Sequence, residues 1–218
     1  MSHLPHPLDS YGSKTTSQND EDGIIDAITK HVTTSRHFVE IGCDPTECNC
    51  LALYLQGWEG VFIDAEKKAP HIKNEWVSAA NIMELLDKYQ VPKHFGVLSI
   101  DIDGQDYWVW RELKGYHPQL VVIEYNGKLA IDHQFVIPRD DNFRIKSQAY
   151  GASLLAMNDL ATSKGYWLVY ANGVNGFFVD RDILSNTQDF QYEKIYRRWP
   201  TDHIHDPSKL GFVKWREL

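Results

Sequence analysis

Short apolar segments alternate along this chain with segments in which apolar residues recur at every third or fourth position. The apolar segments predict strands at residues 37–41, 61–63, 95–102, 119–125, 166–171 and 176–179, with a further short strand beginning at Trp76. The helical spacing predicts one helix that begins at Ser17, capped by that serine, and others at residues 46–56, 81–89, 107–116 and 151–165. This alternation is typical of an α/β domain with a mostly parallel sheet. Residues 172–175 predict a turn that joins the last two strands as an antiparallel hairpin.

The chain is predicted to form one domain, residues 17–218, preceded by a flexible and polar N-terminal arm, residues 1–16. Residues 127–149 form a long polar segment directly after a predicted strand, which is typical of a lid or a substrate-binding loop. Residues 185–218 form an aromatic and charged C-terminal extension, to which the pattern assigns no role.

Acidic and amide side chains lie where two neighbouring strands are predicted to end. Asp101 and Asp103 close one strand, Asp106 opens the helix that follows it, and Glu124 and Asn126 close the next strand. The carboxyl ends of parallel strands meet at one edge of a sheet, where ligands bind in α/β proteins. The sequence therefore predicts a functional crevice at this edge.

The first two predicted strands also end in residues suited to a nucleoside ligand. Glu40 and Gly42 lie at the end of the first strand, and Asp64 ends the second. An acid in the second position is suited to the two hydroxyls of a ribose, and a glycine lets the backbone approach a ligand. Because the chain has neither the three-glycine dinucleotide motif nor a P-loop, NAD and ATP are not the expected ligands.

Composition and charge narrow the functional classes. Hydrophobic residues make up 43% of the 218 residues and aromatic residues 12%, which indicates a folded domain. The net charge of −8 argues against nucleic-acid binding. No apolar run reaches about 18 residues and no signal peptide is recognised, so a cytoplasmic protein without membrane contact is expected. The clustered cysteines at positions 43, 48 and 50 are expected to be buried thiols rather than disulfides or metal ligands.

Several segments together resemble one family of enzymes. The segments are SQNDEDGIIDAI, FVEIG, LQGWEGVFID, VSAANI, LSIDIDGQDYWVW, VVIEYN, YGASLLAMNDLATSKGYWLV and NGFFV. In this order they resemble a bacterial class I, S-adenosylmethionine-dependent methyltransferase-like family related to the FkbM group, over roughly residues 17–184. That family is often associated with the modification of polysaccharides and secondary metabolites. The chain departs from it at residues 43–46, where Cys-Asp-Pro-Thr replaces the usual glycine-rich turn.

The resemblance implies a fold, a cofactor and a set of binding residues. The fold would be Rossmann-like, with a seven-stranded and mostly parallel sheet, a C-terminal antiparallel hairpin and helices on both faces. Glu40 would lie near the sulfonium or the amino group of S-adenosylmethionine, Asp64 would bind its ribose, and Ser78 with Asn81 would lie near its adenine. Gly42 and Asp101 would complete the cofactor-binding set.

Methyl transfer to an oxygen of a small-molecule or saccharide acceptor requires removal of the acceptor's proton. Asp103 or Glu124 is the expected base, because like-charged neighbours raise the pKa of a carboxyl group. The same two carboxylates with Asn126 could instead hold Mg²⁺, as in metal-dependent catechol-type O-methyltransferases, although Tyr125 interrupts that pattern. His133, in the predicted lid, is a further candidate base.

Two other functions remain open at the level of sequence. Asp101 and Asp103 also match the metal-binding DxD motif of sugar-nucleotide transferases. From a different class, the altered turn at residues 43–46 is compatible with a methyltransferase-fold binding protein without activity. The oligomeric state is left open, with a homodimer among the alternatives.

Overall fold

The computed structural model describes residues 1–66, 68–200, 204 and 206–217, so parts of the predicted C-terminal extension (201–203, 205 and 218) lie outside the described residues. The helices are α1 Glu21–Val32, α2 Leu51–Leu55, α3 Ile82–Lys88, α4 Asp106–Glu112, α5 Leu154–Ser163 and α6 Tyr192–Ile195. The strands are β1 His37–Ile41, β2 Glu59–Asp64, β3 Ile72–Asn74, β4 His94–Ile100, β5 His117–Glu124, β6 Phe135–Val136, β7 Tyr166–Ala171, β8 Asn175–Asp180 and β9 Val213–Lys214.

Within the described residues, seven strands form one sheet in the order β3-β2-β1-β4-β5-β8-β7. The first five strands along the chain pair in parallel, whereas β8 pairs antiparallel with both β5 and β7. Strands β6 and β9 form a separate antiparallel pair. The predicted Rossmann-like α/β fold, mostly parallel with a C-terminal antiparallel hairpin, is therefore confirmed.

The core lies on the central strands and on α4. In β4, every residue after His94 is buried, as expected for a parallel strand covered on both faces. Trp110 of α4 is fully buried, and its ring centroid lies 5.1 Å from that of Phe178 on β8. Trp108 is also buried, and its indole N–H donates to the carbonyl oxygen of Ile137. Both tryptophans are therefore packing residues.

The third strand differs from its prediction. It consists of Ile72–Asn74, paired with the end of β2, and the chain at Trp76 is not a strand. Only Ile72 of these residues is buried, because β3 is a short strand at the sheet edge. Such a strand has no apolar run, so the pattern missed it.

Two helices begin later than predicted because a carboxylate binds the preceding backbone. The N–H and hydroxyl groups of Ser17 both donate to the Asp22 carboxylate, and its hydroxyl oxygen accepts the Asp22 N–H in the first turn of α1, although the helix itself begins only at Glu21. Helix α2 begins at Leu51 rather than Thr46. The residues before it form turns in which the Thr46 N–H and hydroxyl donate to Asp44.

The N-terminal arm and the C-terminal extension pack on the domain. Leu4, expected in a loose arm, is fully buried, and its N–H donates to the side chain of Asn186. Phe190 and Ile195 in the extension are buried in the main core. Strand β9 pairs with β6, which lies in the predicted lid segment. In the part of the chain that the structure describes, no helix is both long and apolar enough to traverse a bilayer.

Candidate functional site

A cavity of about 420 Å³ opens at the carboxyl ends of β1, β2 and β4. The ends of these strands contribute predicted site residues to its wall, namely Glu40, Gly42, Asp64, Asp101 and Asp103. Ser78 lies on the wall as well, next to Trp76 and Val77. The loop between β6 and α5 contributes residues 143–145, and Gln18 reaches the cavity from the segment before α1. The predicted crevice at this edge of the sheet is therefore present.

The charge of the cavity is strongly negative. Among the described residues, nine carboxylates line it against two cationic side chains. The cations are Lys68 and Arg144, and the acids are Glu40, Asp44, Glu47, Asp64, Glu66, Glu75, Asp101, Asp103 and Asp141. A cavity lined by one sign of charge concentrates ligands of the opposite sign. This cavity therefore favours cations and disfavours phosphates that carry no bound metal ion.

Gly42 allows two turns to pack against each other. Its φ is +79°, and a Cβ at this position would overlap the carbonyl oxygen of Asp101. The Gly42 N–H donates to Ile63 and the Asp101 N–H to Ile41, so the turn after β1 is tied to both neighbouring strands. Gly42 was predicted to let a ligand approach the backbone, but the group that packs closely against it is the turn after β4.

Glu40 organises the loop that replaces the glycine-rich turn. Its two carboxylate oxygens accept the backbone N–H groups of Asn49 and Cys50 at 2.7 and 2.8 Å. The side chain is 2% exposed, and burial raises the pKa of Glu40 from 4.5 to about 7 despite these two donors. Glu40 therefore fixes the start of α2 as well as lining the cavity.

The three cysteines of this loop are buried free thiols, as their clustered spacing predicts. The Cys48 thiol donates to the carbonyl oxygen of Asp44. Burial raises the pKa of Cys50 well above its usual value, and for Cys43 a hydrogen bond with Cys48 and then burial raise the pKa. The three buried cysteines therefore pack as small apolar groups.

Asp64 lies at the end of β2, on the cavity wall, and its carboxylate has two internal partners. Oδ1 accepts the N–H of Glu66 at 2.7 Å, and Oδ2 lies 3.3 Å from Nζ of Lys68. The same ammonium lies 3.9 Å from a carboxylate oxygen of Asp44. Burial on its own would lower the pKa of Lys68, but the charge and hydrogen bond of Asp64 together with the charges of Asp44 and Glu66 outweigh it, so the net direction is upward. Oδ2 is thus the oxygen that a ligand would share with Lys68.

Ser78 and Asn81 have different roles. Ser78 lines the cavity, whereas Asn81 accepts the Ser78 N–H and donates to the carbonyl oxygen of Trp76. The Trp76 indole donates to the carbonyl oxygen of Asp141, and the Arg144 guanidinium lies 3.6 Å from the centroid of its ring. Asn81 therefore supports the cavity wall through the turn before α3 rather than forming part of it.

The acids after β4 and β5 form a cluster. One carboxylate oxygen from each of Asp101, Asp103 and Glu124 lies within 4.8 Å of the others. Glu124 is 8% exposed, and its Oε2 has no hydrogen-bond partner among the described residues. Burial and then the neighbouring acids raise the pKa of Asp101 and of Glu124 well above their usual values. Asp106 accepts the N–H groups of Ile102 and Gly104, and burial raises its pKa to about 6.

Asn126 and His133 do not join this cluster. The amide nitrogen of Asn126 donates to Gln148 and Tyr150, and its oxygen accepts from Lys128. His133 accepts the N–H of Ala130 through Nδ1. Neither residue lines the cavity. The side chain of Asn126 was predicted to face the ligand, but its hydrogen bonds are made to the loop that follows β5. His133 lies apart from the site.

Three residues on the cavity wall were missed from the sequence. Trp76 and Arg144 stack on each other although 68 positions separate them, and no local pattern links them. Phe143 packs on Gly104, where a Cβ would overlap its ring. The sequence offers one signal for the Phe143 contact, the glycine of the Asp-Gly pair at 103–104. A glycine indicates that another group packs closely against the backbone there, but it does not identify that group.

No protein-family model matches this chain, and a search of the curated proteins finds no match.

Proposed function

We propose that this protein transfers a methyl group from S-adenosylmethionine to an oxygen of a small-molecule or saccharide acceptor. The observation that carries the proposal is the negative cavity at the carboxyl ends of β1, β2 and β4. S-adenosylmethionine carries a sulfonium and an ammonium against a single carboxylate, and it has no phosphate. A cavity with nine acids and two cationic side chains among the described residues suits such a ligand.

The sheet and the cavity wall support the same cofactor. A seven-stranded sheet with a C-terminal antiparallel hairpin is the plan that the sequence resemblance implies for class I methyltransferases. Asp64 lines the cavity at the end of β2, where its carboxylate could accept from ribose hydroxyls beside Lys68. Trp76 and Phe143 supply flat apolar surfaces on the wall, which suit an adenine ring.

S-adenosylmethionine supplies an electrophilic methyl group when bound, and the protein's task is to orient the acceptor and remove its proton. Asp103 is exposed at the cavity wall, and Glu124 lies behind it with a raised pKa. The acceptor oxygen attacks the methyl carbon, the carbon–sulfur bond breaks, and the hydroxyl proton passes to one of these carboxylates. Asp103 lines the cavity and Glu124 does not, so Asp103 is the carboxylate that the acceptor would meet directly.

A sugar-nucleotide transferase is the second candidate, because Asp101 and Asp103 both line the cavity. Its diphosphate would face the other acids of the wall, so binding would depend entirely on a metal ion. A binding protein without activity remains the alternative from another class.

Thermal unfolding with a panel of ligands separates these functions. S-adenosylhomocysteine and S-adenosylmethionine are expected to raise the melting temperature in the presence of a chelator, and UDP-glucose is not expected to add to any shift that Mn²⁺ alone produces. Mass spectrometry of the purified protein would identify any ligand that it retains. A shift with UDP-glucose beyond that of Mn²⁺ alone, without any shift from the two methyl-donor ligands, would replace the proposed function with the transferase.

A further inference from the structure

We propose that Asp101, Asp103 and Glu124 bind one divalent cation beside the cavity. This ligand set replaces the Asn126 oxygen of the sequence prediction with a carboxylate of Asp101. Carboxylate oxygens are the ligands of hard cations such as Mg²⁺, Mn²⁺ and Ca²⁺.

The separation of the three side chains suits a shared ion. Their oxygens lie within 4.8 Å of one another. Two oxygens on opposite sides of one ion are about 4 Å apart for Mg²⁺ and about 5 Å apart for Ca²⁺. The upper limit of 4.8 Å therefore falls within the range of separations that oxygens around one such ion span.

Glu124 supplies the second observation. Glu124 is more than nine-tenths buried, and its Oε2 has no hydrogen-bond partner in the described residues. A carboxylate oxygen of the same side chain lies within 4.8 Å of one oxygen each of Asp101 and Asp103. All of the charges that bear on its carboxyl group come from Asp101, Asp103 and Asp106, and all are negative. A buried carboxylate without a donor or a cation is costly, and protons or a bound cation remove that cost.

The turn between β4 and α4 places these groups. Asp106 accepts the N–H groups of Ile102 and Gly104 and so closes the turn around Asp103, whose φ is +56°. Asp101 and Asp103 also line the cavity, so an ion held by them adjoins the space where the cofactor and acceptor would bind. Under the proposed function, the ion would lower the pKa of the acceptor hydroxyl. The cation site itself rests only on the geometry.

The test is a Mn²⁺ titration of the full chain after EDTA treatment and dialysis, followed by calorimetry and by the paramagnetic resonance signal of free Mn²⁺. One Mn²⁺ per chain is expected. Glu124→Gln and Asp103→Asn should each weaken binding by at least about tenfold, since each removes one charged ligand. Glu47→Gln is the matched control, because Glu47 lines the same cavity, is exposed and lies outside the cluster. Its Mn²⁺ affinity should equal that of the wild type.

Thermal unfolding provides a second measurement, in which the difference in melting temperature between Glu124→Gln and the wild type is expected to have opposite signs in EDTA and in Mn²⁺. In EDTA, Glu124→Gln should unfold at a higher temperature than the wild type, because it removes a buried carboxyl group that two other acids crowd. With Mn²⁺, the wild type should gain stability and Glu124→Gln should not.

Absence of Mn²⁺ binding at millimolar concentration in the wild type would overturn the cation site. Equal weakening in Glu47→Gln would overturn it as well, because it would indicate diffuse attraction by the whole cavity. Measuring S-adenosylhomocysteine binding in EDTA keeps the two proposals separate, since either ligand can bind or fail to bind without the other.

Discussion

Carboxylates that look equivalent in the sequence have different environments in the folded protein. Glu40 and Asp106 accept backbone N–H groups with both oxygens, and Asp64 shares one oxygen with a lysine. Glu124 has one buried oxygen that finds no partner in the part of the chain that the structure describes. The first three can fix loops or bind hydroxyls, whereas Glu124 is the one whose environment demands a proton or a cation.

Residue positions could be predicted from the sequence, but side-chain direction could not. Glu40, Asp64, Asp101 and Asp103 line the cavity because strand ends in a parallel sheet share one edge. Asn126 follows the same rule by position, yet its amide is used by the carbonyl groups of Gln148 and Tyr150. Such long-range loop contacts leave no local pattern.

The buried carboxyl group of Glu40 predicts a pH-dependent stability. Its pKa rises from 4.5 in the unfolded chain to about 7, so between these pH values the folded protein holds a proton that the unfolded chain has released. The contribution to the free energy of unfolding is full below pH 4.5 and is lost as the pH rises towards 7, by about 3 kcal/mol in total. Glu40→Gln should lack this loss, so it should gain stability relative to the wild type as the pH increases.

Urea unfolding of both proteins at several pH values between 5 and 7.5 measures this difference. Glu84→Gln is the control, because it removes an acid from an exposed position of α3. A difference between Glu40→Gln and the wild type that stays constant with pH would contradict the assignment.

At the scale of elements, the site depends on two turns that pack against each other, one after β1 and one after β4. Strand β4 was predicted closely because its apolar run is long, and β7 was predicted to the residue. Helix α2 was not, because the Glu40 carboxylate binds the backbone just before Leu51 and the chain turns there. Strands and helices can thus be predicted from the local pattern of apolar residues, whereas turns whose shape depends on contacts with distant residues cannot.

The close packing of these turns predicts a contrast between two glycines. Gly42 and Gly57 have nearly the same φ, +79° and +82°, but a Cβ at Gly42 would overlap Asp101 whereas one at Gly57 would have no neighbour within 4 Å. Gly57→Ala should therefore cost only the left-handed backbone penalty, about 1–2 kcal/mol. Gly42→Ala should cost at least about 2 kcal/mol more, because backbone must move. Urea unfolding of the two variants tests this, and equal losses would show that the turns do not pack as described.

At the scale of the whole molecule, acidic residues concentrate at one edge of the sheet. The chain has a net charge of −8, and nine carboxylates of the described residues line the cavity at the ends of β1, β2 and β4. Burial and mutual repulsion of like charges make this edge less stable than an apolar core would be. A cationic ligand relieves that repulsion, so the same charges that destabilise the empty site favour the proposed cofactor.

The loop wall of the cavity belongs to this scale because segments far apart in sequence build it. The Gln105 side chain donates to the carbonyl oxygen of Pro138 and accepts the N–H of Asp140, and Trp108 donates to Ile137. These contacts anchor the segment that was predicted to be a lid. Its opening and closing remain a prediction that hydrogen exchange with and without ligand can measure.

The most direct measurement is calorimetric titration of S-adenosylhomocysteine into the wild type, Asp64→Ala and Asp26→Ala. Asp26 is the matched control, because it pairs with Lys30 four positions on, as Asp64 does with Lys68, and it does not line the cavity. The wild type and Asp26→Ala should bind with the same affinity, and Asp64→Ala should bind about a hundredfold more weakly, since charge-assisted hydrogen bonds to the ribose are lost. No binding to the wild type at millimolar ligand, or unchanged affinity in Asp64→Ala, would contradict the proposed cofactor site.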